Sequence, residues 1–387
     1  MQKIISNKKF KFCLIFFLSQ LMGIRFFLNS SYISFNPYFM YGLYVLISFV
    51  IFYIFIKSDI INIFLIKNLF YIIIFVSLVL LYFQYPIQDN LKIYNLGSDQ
   101  DDCFMIIINN IINNNKIYSN TYLGNPCSTG MAEFLFYFPV IFYKNFFFII
   151  PILSLLMCFY VFKDLLNYRD SILIFYIQIS NLVFIELSSA GSDFMLIGAA
   201  YLLGTYLLKK SIDTKNKYYL IISFLLLFFF YGSRSIFLFL IPLNFILFFY
   251  YNPLKIKTFF IILFSISSLS YIIPWIISYP NFFPPFHLFS KGIYFILSVK
   301  LATSIIIILF LIFCMLLFKK IKFNQLNKKY FYYLNYLVLI IPLLYISLSR
   351  VFVIDNLAKW EALNYFMIFL PSLYYLILSI ENTYIKK

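Results

Sequence analysis

Three carboxylates, Asp99, Asp101 and Asp102, fall within the short run Ser98-Asp99-Gln100-Asp101-Asp102-Cys103. Like charges held that close to apolar sequence raise one another's pKa, which suits a general base that takes a proton from an attacking hydroxyl. Asp99 and Asp101 also have the D-x-D spacing of a site for a hard divalent cation, Mg or Mn, with oxygen ligands. The competing reading is structural: Ser98 or Asp99 caps a helix, and the next acids complement its dipole.

A carboxylate base acting on a phosphate-bearing substrate needs cations to hold the phosphate, and an arginine binds such oxygens in two places at once. The candidates are Arg234, in the turn Gly232-Ser233-Arg234-Ser235, then His287 and Lys291 in a Pro/Phe-rich loop, Arg350 at the end of an apolar run, and Lys359. Arg234 leads because a tight turn fixes the direction of its guanidinium; the ordinary alternative for each is a side chain snorkelling to the membrane interface. Asp193 follows the small-residue turn Leu187-Ser188-Ser189-Ala190-Gly191-Ser192, where it either lines an acceptor pocket or caps the next helix. Of 5 cysteines, Cys13, Cys158 and Cys314 lie in apolar runs, whereas Cys103 and Cys127 share one polar segment and could pair in an oxidising compartment.

The elements that position these residues are membrane helices. Hydrophobic residues make up 63% of the chain and charged residues 11%, with a mean hydropathy of +0.92, against roughly 45–50% and 25% in a soluble domain. The net charge of +16 sits in short clusters between apolar runs and not in one patch, so it reports topology and excludes a nucleic-acid partner. Apolar runs near 12–28, 38–56, 69–85, 146–162, 171–187, 193–208, 218–231, 235–251, 258–278, 293–318, 331–349 and 362–380 are each of spanning length, giving an all-α polytopic bundle of about 12 transmembrane helices. With the N-terminus inside, Lys8, Lys9, Lys57, Lys163, Lys209, Lys210, Lys319, Lys320, Lys386 and their neighbours all face the cytoplasm, so both termini are expected there. Residues 86–145 form the one long extracytoplasmic loop, in a single transmembrane domain covering 1–387. Within it Phe104, Ile107, Ile108, Ile111 and Ile112 recur at helical spacing and predict an amphipathic helix on the membrane surface; the interleaved asparagines read as composition bias.

Three pieces of this loop and its surroundings resemble the GT-C superfamily of polyprenyl-phosphate-sugar-dependent glycosyltransferases, including bacterial mannosyltransferase-like membrane proteins. They are Ser98–Asp102 opening a juxtamembrane helix; Asn115-Lys116-Ile117-Tyr118 followed by Thr121–Pro126 and a helix with Tyr137-Phe138-Pro139; and Ser189-Ala190-Gly191-Ser192-Asp193 leading into a span. The resemblance implies a GT-C-like bundle in a bacterial cytoplasmic membrane, an inverting transfer of a sugar from a polyprenyl-phosphate donor to a glycan or lipid-linked acceptor outside the cytoplasm, Asp101 or Asp102 as base with Asp99 beside it, and Asn125 among the substrate contacts. Such enzymes commonly place the loop after the first span, whereas three runs precede it here. A polymerase of lipid-linked glycans, centred on arginines, and a lipid-linked-oligosaccharide flippase or transporter are the alternatives; a transporter would place its ionisable groups near the midplane.

Overall fold

The computed structural model describes residues 8–29, 35–57, 63–90, 100–113, 117–121, 124, 127, 129–141, 147–241, 244, 254–278, 335–344, 347 and 363–379. Among them the regular elements are helices, with no strand. In chain order they are Lys8–Gln20 (α1), Ile24–Asn29 (α2), Pro37–Lys57 (α3), Ile63–Asn90 (α4), Gln100–Ile112 (α5), Met131–Ile141 (α6), Ile149–Leu165 (α7), Tyr168–Ile179 (α8), Leu182–Ser189 (α9), Phe194–Thr214 (α10), Lys217–Ser233 (α11), Leu254–Ser278 (α12), Asn335–Leu344 (α13) and Leu363–Ser379 (α14), with a 3-10 turn at Ser235–Phe239. Among the described residues four stretches are long and apolar enough to cross a membrane: Lys8–Leu28, α3, Phe70–Ile87 and Lys257–Ile277.

The helix limits follow from local chemistry. Asn167, Asn181 and Asn216 precede α8, α9 and α11, and each side chain accepts a backbone amide of the first turn, from Asp170, Val183 and Tyr218 respectively, at 2.9 Å. Asn36 does the same for Tyr38 ahead of Pro37, the favoured pairing of a capping side chain with proline at the first helical position. At the end of α9 the Ser192 amide reaches back to the Leu187 carbonyl at 3.0 Å across Gly191, whose φ of +68° is open to glycine at little cost. The run expected near 171–187 is therefore two helices, α8 and α9, bent by 65°. The run expected at 235–251 opens as a 3-10 turn, and α4 continues through Pro86 to Asn90. The run near 293–318 lies outside the described residues.

The chain divides into two compact units. The first draws on residues within 1–98, 143–210 and 340–387, the second on residues within 99–142 and 211–339.

Contacts inside the first unit fix helix directions. Lys8 pairs with Asp170, Gln20 with Ser180 at 3.0 Å, and Arg25 with Glu186 at 3.1 Å, so α1–α2 and α8–α9 run parallel. Along α3, Tyr44 meets Ser180, Tyr176 meets Ser48 and Arg169 meets Phe55, which makes α3 antiparallel to α8. Ring contacts of Phe70 with Phe159 and Tyr85 with Phe147 set α4 antiparallel to α7. Asp164 holds Tyr206 at 2.6 Å and Lys210 at 2.5 Å, placing the last turns of α7 and α10 at one end. Phe194 meets Tyr365 edge-on, and Gly198 lies so close to the Ile368 backbone that a Cβ would collide with it; α14 thus runs parallel to α10. In the second unit α11 packs on both α6 and α12, and α5 rests against α6.

Candidate functional site

Asp101 and Asp102 are carried by α5, the helix that the spacing of its apolar residues predicts, and occupy its first turn. Asp102 is half-buried, with Oδ2 turned away from solvent. On the apolar face Phe104, Ile107 and Ile108 are buried, Phe104 edge-on to Tyr137 of α6 at 5.0 Å between ring centres. Ile111 and Ile112, at the other end of that face, remain exposed as an apolar tip. Asn110 has a structural task beyond composition: its amide donates to the Ile117 carbonyl at 3.2 Å and the Ser119 hydroxyl at 3.3 Å, folding the chain back after the helix.

Cys103 and Cys127 form a disulfide with Cα atoms 5.3 Å apart. It ties the residue next to Asp102 to the segment that enters α6. Gly124 turns that segment with φ +77°, its amide bonding the Thr121 carbonyl at 2.9 Å.

Where α6 begins, the second unit assembles a buried charge pair. The Gly130 amide donates to the Ser233 carbonyl at 2.7 Å, the last carbonyl of α11 and one that the helix leaves without an internal donor. Gly130 has to be glycine here, since a Cβ would collide with the Gly232 carbonyl and the Tyr271 hydroxyl. That contact brings Glu133, one turn into α6, against Arg234, which follows α11 in extended conformation. Arg234 Nη1 donates to Glu133 Oε2 and to the Ser233 carbonyl at 3.1 Å. Both side chains are sealed from solvent, at 2% and 0% exposure, so Arg234 does not snorkel. Glu133 Oε1 and Thr129 Oγ1 are buried with no hydrogen-bond partner among the described residues. Burial pushes the Tyr118 and Tyr137 hydroxyls well above the ordinary tyrosine value, against a smaller opposing pull from the Arg234 charge, so both stay protonated donors. The cluster offers hydrogen bonds and aromatic faces around a pair of zero net charge.

The other site candidates separate clearly. Asp99, Asn125, His287, Lys291 and Arg350 lie outside the described residues, as does Lys359. The Asp99 and Asp101 cation site therefore rests on sequence alone, and among the described residues no group of three or more His, Cys, Asp or Glu side chains could hold a metal. Asp193 belongs to the first unit, fully buried at the start of α10, where its carbonyl accepts the Ile197 amide at 3.0 Å. Sequence reasoning missed Glu133. Its signal was present, because an acid in the apolar run Met131–Ile141 is costly unless it has a partner. Arg25 of the first unit pairs with Glu186.

No protein-family model, curated protein or solved structure matches the chain.

Proposed function

We propose that this chain is an integral membrane glycosyltransferase of GT-C type, a bundle of about 12 spans with both termini cytoplasmic. It moves a sugar from a polyprenyl-phosphate donor to a glycan or lipid-linked acceptor on the outer face of a bacterial cytoplasmic membrane. The observation that carries the reading is Asp102, half-buried in the first turn of an amphipathic helix whose next residue is clamped by a disulfide and whose far end is apolar and exposed. In the reaction a carboxylate of the Asp99, Asp101 and Asp102 group takes the proton of the acceptor hydroxyl. The acceptor's oxygen bonds to the anomeric carbon while the bond to the phosphate breaks, the electron pair leaving on the phosphate oxygen; a single displacement inverts the centre. A divalent cation at Asp99 and Asp101 would stabilise the departing phosphate.

Helix directions support the topology. The parallel run of α1–α2 and α8–α9 asks for an odd number of crossings between them, which α3, α4 and α7 supply, and the segment joining α4 to α7 then begins and ends on one face. Lys8, Asp170, Asp164 and Lys210 gather at helix ends that the lysine count assigns to the cytoplasm.

Membranes bearing Asp99→Asn, Asp101→Asn and Asp102→Asn singly, given a labelled polyprenyl-phosphate sugar, test the proposal: at least one variant loses transfer by about 10²-fold or more. Three variants as active as the parent would sink it. The α8–α9 discontinuity favours a second reading, a flippase or transporter of lipid-linked glycans; that reading requires the label to cross the membrane with no new glycosidic bond.

A further inference from the structure

Two neighbouring helices of the first unit are broken, and a third beside them is continuous but carries a proline. The α1–α2 helix breaks at Leu21–Gly23, the α8–α9 helix at Ser180–Asn181, and α14 contains Pro371. Side chains satisfy the first two breaks. Tyr41 donates to the Gln20 carbonyl; Tyr44, one turn further along α3, donates to the Ser180 carbonyl at 2.8 Å, and the Gln20 amide donates to that same carbonyl at 3.0 Å. The third is different. Proline has no N–H, so Pro371 cannot give the Met367 carbonyl its helical bond.

A cavity lies at that point, lined by Ser154, Cys158, Gln178, Met195, Met367 and Pro371 among others. It has about 20 Å³ of room for the centre of a water molecule, where one water needs roughly 10–15 Å³ and two to four polar partners. The partners are present. Ser154 uses its proton on the Pro151 carbonyl at 2.6 Å and keeps its oxygen lone pairs. Gln178 is buried and already bonds the Cys158 side chain, and an amide with two donors and an acceptor keeps capacity beyond that one bond. Asn181, at the adjacent break, donates to the Met367 sulfur at 3.7 Å, tying α14 to the same layer.

We propose that this cavity is an internal hydration site, holding one water bonded to the Ser154 hydroxyl, the Gln178 amide and the Met367 carbonyl. The water stands in for the amide that Pro371 lacks and joins the two side-chain-stapled breaks into one polar layer across the first unit. The layer is then a solvated joint, and this reading is independent of sugar transfer.

Hydroxyl-radical footprinting by X-ray radiolysis of the purified protein tests this, because a buried sulfur oxidises quickly only beside an ordered water. Met195 and Met367 are 3% and 5% exposed, and Met22, also buried at 7%, does not line the cavity. The expected result is sulfoxide formation at Met195 and Met367 several-fold faster than at Met22, falling to the Met22 rate in Ser154→Ala/Gln178→Leu. Equal rates at the three methionines of the parent protein overturn the proposal, and that comparison stands whether or not the variant folds.

Discussion

The described ion pairs of the two units differ in exposure, although single charged residues such as Asp193 are buried in the first unit as well. In the first, ion pairs sit at helix ends with their side chains partly open, Lys8 and Asp170 at 49% and 10% exposure and Lys210 and Asp164 at 26% and 35%. In the second, Arg234 and Glu133 are closed off at 2% and 0%. Charges of the first kind stay partly open to solvent, where water shares their solvation and the attraction is screened. Charges of the second kind hold each other's charge inside the protein, and each is tolerable only because the other is there.

The sharpest way to break that contrast is to remove one partner of the buried pair. Glu133→Leu leaves an uncompensated guanidinium in the fold and is expected to destabilise by about 3–5 kcal/mol, read as a drop in unfolding temperature in detergent. Glu133→Leu/Arg234→Leu should recover most of that loss. Lys210→Ala, in the open pair, should cost less than about 1 kcal/mol. A Glu133 variant as mild as Lys210→Ala would erase the distinction between the units.

Sulfur gives the next largest difference. Cys103→Ser opens a disulfide closing a separation of 24 residues, for a loss of about 3 kcal/mol, whereas the free Cys13 of the first unit should tolerate serine far better. Thermal unfolding of both variants, with the parent treated with reductant alongside, checks it.

Glycine sharpens the comparison further. Gly130→Ala drives a methyl into the Gly232 carbonyl and the Tyr271 hydroxyl, an overpacking expected to cost about 1–3 kcal/mol or more. A Cβ on Gly42, in α3 of the first unit, meets nothing within 4 Å, and alanine there should stabilise by up to about 1 kcal/mol.

The smallest effect is a pH dependence. Burial alone would raise the Asp164 carboxyl, but hydrogen bonds from Lys210 and Tyr206 and the Lys210 charge bring it below its ordinary 3.8. A depressed folded value gives stabilisation that is complete above the unfolded pKa and disappears as pH falls through the folded one. Unfolding followed down through the carboxylate range should show this acid loss, under about 1 kcal/mol, and Lys210→Met should remove it.

Much of the second unit's local structure was legible in the sequence. The spacing of Phe104, Ile107 and Ile108 specified both α5 and the face it buries, and Gly232–Arg234 marked the end of α11, because periodicity and chain breaks are properties of neighbouring residues. Cys103 and Cys127 stood out as a pair because they share one polar segment. The 65° bend at Ser180–Asn181 was hidden inside an apolar run of spanning length, since hydropathy measures transfer from water and is blind to a local cap such as Asn181 accepting the Val183 amide.

By itself the sequence determined that the chain is helical and apolar enough for a membrane, where its lysines cluster, and which helix carries Asp101 and Asp102. Only the tertiary structure decided which charges share a pocket. Arg234 and Glu133 are 101 residues apart and meet because the glycine contacts of Gly130 and Gly232 let α6 and α11 approach. The composition of either segment says that a buried charge needs an opposite one, and packing alone says which one it gets.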